Sequence, residues 1–247
     1  MDLSEIDRVY ALYDKRYNLD KMAVINGLPE KQYKLLTSRD KFIVLSKKLR
    51  EVSKVNLASF FFGKLFEVSN DLTALMNKID CLIELGEYDE AIKYNNIACE
   101  LYLEDENVNP AEVEDKIRIQ RCILLFYTGK NESARWFCEE NIIDKGIRDL
   151  YYLLFAVMIA TEDFAGAGRL FDKYGSITGD KIDFITEALI HLLNVNKFKE
   201  GMNFIRTIYQ FTPDQQEAIT RHVNGYSPVN KNRTIIKDFF VKEVSFR

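Results

Sequence analysis

The 247-residue chain has few residues that interrupt a helix or reverse a strand. It contains four prolines and 11 glycines, too few for the frequent turns of an all-β fold. No apolar run approaches the roughly 20 residues that a membrane-spanning helix needs. The N-terminus, MDLSEIDRVY, is acidic and amphipathic and lacks the pattern of a signal peptide. These absences predict a cytoplasmic protein built of long helices.

Groups that commonly carry catalysis are also scarce. The two histidines, His191 and His222, lie in helical stretches without a carboxylate or cysteine at ligand spacing. The sequence contains no glycine-rich phosphate loop, nucleophile elbow or zinc motif. The four cysteines lack metal-type or CxxC spacing, and we interpret them as reduced thiols that pack as small apolar groups. We therefore expect a protein that is not an enzyme and needs no metal or cofactor.

What the sequence does contain is a repeat of helical hairpins. Small residues recur between helical patterns at intervals of 43, 33 and 34 residues: Ala91, Ala134, Ala167 and Gly201. The last two intervals match the period of a tetratricopeptide array, and an insertion, EDENVNP, explains the longer first one. A turn former before each small residue lets the chain reverse, and the small residue lets two antiparallel helices approach closely. A weaker hairpin is expected before these, with Ala58 in the small position.

The repeat LGEYDEAIKYNNIA carries a resemblance to the tetratricopeptide family, which extends over about residues 68–213. The resemblance implies an all-α fold, a right-handed superhelix of hairpins that must stack because one hairpin cannot bury its own apolar face. Ile79 and Phe155 stand where the family has a small residue. In this geometry the first helix of each hairpin lines a groove suited to a peptide or protein segment. The expected groove residues are Asp80, Glu84, Lys116, Ile119, Tyr152, Thr186 and Asn194.

The stretch LDKMAVINGLPEKQYKLL has the spacing of a helix-turn-helix. Ala23 is small, Gly27 can adopt the left-handed conformation of a tight turn, and Pro29 suits the first position of the next helix. We therefore expect helices over residues 19–26 and 29–36. Because a plain helical hairpin shows the same glycine, the stretch predicts either a DNA-reading motif or an ordinary hairpin.

Basic residues concentrate around this stretch. Residues 15–54 contain eleven basic and four acidic side chains, a charge of +7 in a chain of net charge −4, which leaves −11 elsewhere. This asymmetry is expected where one end of a protein meets phosphates, although clustered solvated lysines give the same count. Lysine neutralises phosphates, and glutamine can pair with a base edge. The expected DNA-binding residues are Lys31, Gln32, Lys34, Arg39 and Lys41.

A basic helix-turn-helix followed by degenerate repeats resembles the peptide-pheromone receptors of Gram-positive bacteria and their phages, in particular the arbitrium-type receptors. The likeness rests on LDKMAVINGLPEKQYKLL, on NLASFFFGKLFEVSNDLTALMNKIDCLI and on the repeats. It implies a homodimeric transcription regulator that serves quorum sensing or the choice between lysis and lysogeny. DNA would bind to the N-terminal helices and a short peptide to the groove. The chain is shorter, with fewer repeats, than this family implies.

These interpretations divide the chain into a helix-turn-helix-like part (1–45), repeats (46–213) and a C-terminal segment (214–247). The last segment contains TIIKDFFVKEVSF, whose apolar stripe either caps the last hairpin or makes a two-fold dimer contact. The residues expected there are Ile236, Phe239 and Phe240. Two alternatives to a regulator remain open. One is an adaptor that holds a protein partner without binding nucleic acid, and the other is a phage or plasmid protein that inhibits a host factor through an exposed apolar patch.

Overall fold

A computed structural model describes residues 4–104, 111–147, 149–174 and 181–226, with the backbone alone at 104, 111, 144, 145 and 224–226. All regular elements in these residues are α-helices, which confirms the all-α prediction. They are α1 Glu5–Tyr17, α2 Leu19–Ile25, α3 Glu30–Lys34, α4 Ser38–Glu51, α5 Val55–Ser69, α6 Leu72–Leu85, α7 Tyr88–Glu104, α8 Ala111–Tyr127, α9 Asn131–Lys145, α10 Asp149–Ala160, α11 Phe164–Tyr174, α12 Lys181–Asn194, α13 Phe198–Ile208 and α14 Pro213–Tyr226. The chain forms two compact units, unit 1 (Met1–Gln120) and unit 2 (Arg121–Arg247).

Five turns of the same type join α4 to α5, α6 to α7, α8 to α9, α10 to α11 and α12 to α13. Each turn has one residue with positive φ, between 58° and 77°: Ser53, Gly86, Gly129, Glu162 and Asn196. The next residue donates its backbone N–H to the carbonyl five positions earlier, at 2.8–2.9 Å in all five turns. This hydrogen bond is the one by which a left-handed residue ends a helix and reverses the chain.

A small residue follows each of these turns by five positions. All five are buried, the four alanines completely: Ala58, Ala91, Ala134, Ala167 and Gly201. A Cβ added to Gly201 would lie 2.5 Å from Leu192 Cδ1, so α12 and α13 approach too closely there for a larger side chain. These are the small positions predicted from the sequence, and Ala58 marks the additional hairpin α4–α5 before the others.

In unit 1 the N-terminal helices pack against the first hairpin around one core. Tyr10, Leu19 and Tyr33 of α1–α3 belong to the same buried cluster as Phe42 and Phe61 of α4 and α5. None of the helices in the described part of the chain is both long and apolar enough to cross a membrane.

The third helix is shorter than the sequence predicts. Helix α3 has five residues instead of the expected 29–36, and α2 ends one residue before the expected 26. The reason is the start of α4, where Thr37 adopts an extended conformation and its side chain accepts a hydrogen bond from the Asp40 backbone N–H. The chain must leave the helix before such an N-cap, so α3 ends at Lys34.

Unit 2 is built around α10. Eight of its 12 residues are buried, which makes it the central helix of the unit, and it packs against α9, α11, α12 and α13. Phe155 of α10 lies against Phe171 of α11 and Phe184 of α12, with ring centroids 5.2–5.9 Å apart. Two of the three ring pairs, those of Phe184, are edge-to-face, and this packing adds to the burial of three large rings.

Candidate functional site

Side chains from three successive first helices meet in unit 1. We call this group the charged cluster: Arg50 of α4, Asp80 and Glu84 of α6, and Lys116 and Gln120 of α8. The two acids are four residues apart, as are the lysine and the glutamine, so each pair occupies one face of its helix. Three of the predicted groove residues, Asp80, Glu84 and Lys116, are therefore brought together.

Asp80 is at the centre of the charged cluster. Its Oδ1 accepts a hydrogen bond from Gln120 Nε2 at 2.5 Å, and its Oδ2 lies 2.9 Å from Lys116 Nζ and 3.4 Å from Arg50 Nη1. Arg50 Nε also donates to Glu84 Oε1 at 2.6 Å. The second hydrogen of the Gln120 amide goes to the Met76 carbonyl at 2.8 Å. Two cations thus face two anions, and one amide fixes the position of the central carboxylate.

The charged cluster is half-buried, which strengthens its interactions while leaving one edge open to water. The exposed fractions of the side chains are 20% for Asp80, 23% for Glu84, 30% for Arg50 and 35% for Lys116. Burial alone lowers the pKa of Arg50, but the hydrogen bond that it donates to Glu84 and the charge of Asp80 raise the pKa overall, so the guanidinium stays charged. Burial raises the pKa of the adjacent Cys81 to about 12, so this thiol stays protonated.

A second polar group lies in unit 2, at the C-terminal ends of α8 and α12. Tyr127 Oη lies 2.8 Å from His191 Nδ1 and accepts a hydrogen bond from Asn194 Nδ2 at 2.9 Å. Burial lowers the pKa of His191 to about 4, so the imidazole is neutral near neutral pH. Asn194 was predicted as a groove residue, whereas His191 and Tyr127 were not.

The other predicted groove residues have different surroundings. Thr186 is buried and its hydroxyl donates to the Ile182 carbonyl of its own helix at 2.6 Å, so it offers little to a ligand. Tyr152 is half-buried, with its ring edge-on to Phe184 at 5.5 Å. Ile119 is half-buried on α8. The predicted groove role of these three residues stays a prediction.

The five predicted DNA-binding residues fall into two groups. Lys31, Gln32 and Lys34 are exposed on α3, where Lys34 Nζ lies 2.6 Å from Glu30 Oε1. Arg39 Nε donates to Asp71 at 2.5 Å. Lys41 is 14% exposed and 3.5 Å from Asp20, and its Nζ lies 5.2 Å and 5.4 Å from the ring centroids of Tyr10 and Tyr33. Arg39 and Lys41 are therefore paired with acids of the protein itself, although the Arg39 side chain is 44% exposed, and the unpaired part of the expected surface lies on α3.

The turn at Gly27 is of the same type as the hairpin turns. Gly27 has a φ of +91°, and the Leu28 backbone N–H donates to the Ala23 carbonyl at 3.0 Å, five positions earlier. Residue 32, five positions after the glycine, is an exposed glutamine where each hairpin has a buried small residue. The spacing from Ala23 to Gly27 therefore reports a turn that the repeats use as well, and does not by itself indicate DNA binding.

Exposed apolar side chains occur in both units. In unit 1, Ile25 at the end of α2 is 70% exposed and Leu35 directly after α3 is 87% exposed. In unit 2, Trp136 and Ile143 of α9 are 63% and 80% exposed. Trp136 and Ile143 are seven residues apart and so share one face of the helix. The predicted cap or dimer residues, Ile236, Phe239 and Phe240, lie outside the described residues.

Comparison with known proteins adds evidence on the fold. Neither a protein-family model nor a curated protein matches the sequence. Among solved structures, a tetratricopeptide repeat protein from Parabacteroides merdae is similar, with a TM-score of 0.52, 13% sequence identity and 95% of each chain covered. At this identity the likeness shows the fold alone. The chain therefore has an all-α, tetratricopeptide-like repeat fold, and the resemblance to arbitrium-type receptors stays a hypothesis.

Proposed function

We propose that this protein binds an extended segment of a peptide or protein partner along the first helices of its hairpins, and that its role is binding and not catalysis. The charged cluster is the observation that carries the proposal. It joins three successive first helices of a tetratricopeptide-like fold, the helices that line the inner face in such repeats. Their partly exposed side chains carry charges of both signs, and the buried Gln120 amide holds the central carboxylate.

The chemistry of the charged cluster suits a polypeptide ligand. An extended segment presents backbone N–H and C=O groups that need partners when they leave water. Asp80 and Glu84 can accept N–H groups, and Lys116 can donate to a carbonyl. Because cations and anions already hold one another in place, a ligand meets side chains that are ordered before it arrives, which lowers the entropic cost of binding.

The test is affinity selection with a phage-displayed library of short random peptides. Peptides enriched on the wild-type protein are then measured on the double variant Asp80→Asn/Lys116→Gln, which removes one charge of each sign and keeps the net charge. We expect a loss of affinity of about tenfold or more, the size expected when one buried hydrogen-bonded charge pair is removed from an interface.

A matched control is available in the same unit. Lys64 and Glu67, paired at 2.5 Å on the second helix α5, can be changed to Lys64→Gln/Glu67→Gln. This variant carries the same chemical changes and is expected to bind the selected peptides like the wild type. Peptides that bind the charged-cluster variant as tightly as the wild type would place the ligand elsewhere, and a library without enrichment would contradict peptide binding by this protein.

A second candidate function is a peptide-responsive, DNA-binding regulator of the arbitrium or quorum-sensing receptor type. The observation that favours it is the exposed group Lys31, Gln32 and Lys34 on α3, directly after the Gly27 turn. Against it, α3 spans only about 7.5 Å along its axis, and Arg39 and Lys41 are engaged within the protein. We therefore rank the adaptor-like binding role first.

Binding to duplex DNA across a salt series tests this second candidate. If α3 contacts phosphates, Lys31→Glu/Lys34→Glu should abolish binding at low salt and flatten the dependence on salt. Lys93→Glu/Lys199→Glu, two exposed lysines on α7 and α13, give the same change in charge away from α3. Equal effects of the two double variants, or no binding at low salt, would remove the regulator from consideration.

A further inference from the structure

Two of the four cysteines face each other in unit 2, across the turn at Gly129. Cys122 of α8 and Cys138 of α9 are both completely buried, and their Sγ atoms are 2.7 Å apart. Cys122 Sγ also lies 3.5 Å from the Ala134 carbonyl oxygen. Of the other two, Cys81 is buried in unit 1 and Cys99 is half-buried on α7.

The distance between the two sulfur atoms is slightly longer than the bond of a disulfide. The sulfur atoms of a disulfide are about 2.05 Å apart, so these two need to approach by roughly 0.7 Å. The two helices that carry them are joined by a short turn, and the small Ala134 one helical turn before Cys138 keeps the helices close. The two sulfur atoms are therefore close enough for a bridge to form between neighbouring helices.

We propose that Cys122 and Cys138 form a reversible disulfide that covalently joins α8 to α9 when the protein meets a small disulfide oxidant such as oxidised glutathione. This site is independent of the proposed binding function. One cysteine thiolate attacks the oxidant, forms a mixed disulfide and releases one glutathione thiolate. The sulfur of the other cysteine then displaces the second glutathione. The two cysteines lose two protons and two electrons, and one oxidised glutathione becomes two glutathione thiols.

The rate and the equilibrium of this reaction are expected to differ. The hydrogen bond with Cys122, together with burial, raises the pKa of Cys138 well above its usual range, so the reactive thiolate is scarce in the folded protein. Exchange should therefore be slow once the protein has folded and faster while the hairpin is open. The measurement must accordingly be made at equilibrium, after refolding in a redox buffer.

The bridge should raise thermal stability because it restricts the unfolded chain. It closes a loop between positions 122 and 138, for which the expected rise in Tm is on the order of 5–10 °C in a protein of this size. The rise should disappear when dithiothreitol is added.

The decisive experiment refolds the reduced protein in a glutathione redox buffer, blocks free thiols with an alkylating agent and maps the peptides by mass spectrometry. We expect a loss of two hydrogens, one cross-link between the peptides that contain Cys122 and Cys138, and alkylated Cys81 and Cys99. The same oxidation in denaturant provides the reference for random pairing. Four alkylated thiols, or a distribution of bridges like that in denaturant, would overturn the proposal.

Cysteine variants check the assignment. Cys122→Ser and Cys138→Ser should each lose both the cross-link and the rise in Tm, whereas Cys81→Ser/Cys99→Ser should keep both. Serine at position 122 can still donate a hydrogen bond to the Ala134 carbonyl, which favours folding of that variant. If either serine variant does not fold, the peptide map of the wild-type protein still decides the outcome.

Discussion

Asp80 connects three helices through a single carboxylate. It contacts Arg50 of α4 and both Lys116 and Gln120 of α8, so its charge holds two cations that would otherwise repel each other. Its 20% exposure means that water screens these contacts only in part. The stability of unit 1 should therefore be more sensitive to this residue than to an acid in an exposed pair.

We predict that Asp80→Asn lowers the free energy of unfolding by about 2–3 kcal/mol, because two half-buried cations lose the anion that they share. Urea unfolding measures the change. Glu67→Gln on α5 removes an acid that is 54% exposed and paired with Lys64, and should cost less than about 0.5 kcal/mol. Similar costs for the two variants would mean that the charged cluster contributes no more to stability than a surface ion pair.

His191 should make stability depend on pH. Its pKa in the folded protein is about 4, compared with 6.5 in the unfolded chain. Between these values the unfolded state binds more protons, so this contribution to stability is complete above pH 6.5 and falls as the pH falls toward 4. From pH 7 to pH 5 the residue should account for a loss of about 2 kcal/mol.

We predict that His191→Gln loses this part of the pH dependence, as measured by urea unfolding at pH 7 and pH 5. The comparison with the wild type removes the contribution of the carboxylates, which titrate in both proteins. His222→Gln removes the other histidine, whose side chain is 56% exposed, and provides the comparison. If His191→Gln keeps the pH dependence of the wild type, the pKa of His191 is not lowered in the folded protein.

The residues that sequence reasoning missed have partners far away along the chain. Arg50 counted as one of the basic residues of the N-terminal segment, but its partners Asp80 and Glu84 are 30 and 34 residues away. His191 belongs to no zinc or catalytic motif in the sequence, and its partner Tyr127 is 64 residues away. Local spacing cannot reveal such pairs, since they depend on how the hairpins stack.

At the scale of the elements the sequence was more informative, because a hairpin turn is local. A left-handed residue and a small residue five positions later mark each turn, and this pattern located the hairpins. Three of the five turns use Ser53, Glu162 and Asn196 in place of glycine, which hides the left-handed position from a search for glycines. The length of α3 was predicted less well, because the N-cap at Thr37 outweighs the helical pattern that continues to residue 36.

The hairpin turn offers a test in which one substitution has opposite effects at two sites. Gly129 has a φ of +77°, and a Cβ there would meet nothing within 4 Å. Gly129→Ala should therefore cost about 1 kcal/mol from backbone strain alone. Gly168 lies within α11, and a Cβ there also has open space. Gly168→Ala should stabilise the protein by up to about 1 kcal/mol, since alanine favours the helix.

Thermal and urea unfolding of these two glycine variants give the measurement. A loss of stability in Gly168→Ala would indicate a contact at that position that the structure does not contain. A neutral Gly129→Ala would indicate that a side chain causes no backbone strain at this left-handed position.

At the scale of the whole molecule, some basic side chains of residues 15–54 are paired with acids in the folded protein, so fewer of them are free than the sequence count indicates. Arg39 and Arg50 belong to the basic segment, but their partners Asp71, Asp80 and Glu84 come from the acidic remainder. Lys41 is held by Asp20 within the segment. Part of the positive charge is therefore used to join α4 to α6 and to α2 within unit 1, and less of it is left for phosphates than the sequence count indicates.

The distribution of stability along the chain provides the last prediction. In unit 2, α10 and α12 should show the slowest amide hydrogen exchange, because opening them would expose eight and nine buried residues. In unit 1, α3 should show the fastest exchange among the helices, because Tyr33 is its one buried residue and most N–H groups of a five-residue helix lack a partner within the helix. Hydrogen exchange read by mass spectrometry measures both.

The same measurement in the presence of duplex DNA separates the two candidate functions. If α3 reads DNA, its exchange should slow when DNA is added, since a bound helix is ordered and shielded from water. If the protein binds polypeptide segments only, α3 should exchange as fast with DNA as without it. A selected peptide should instead slow exchange in α6 and α8, which carry most of the charged cluster. Slow exchange of α3 without any ligand would show that this helix is more stable than its burial indicates.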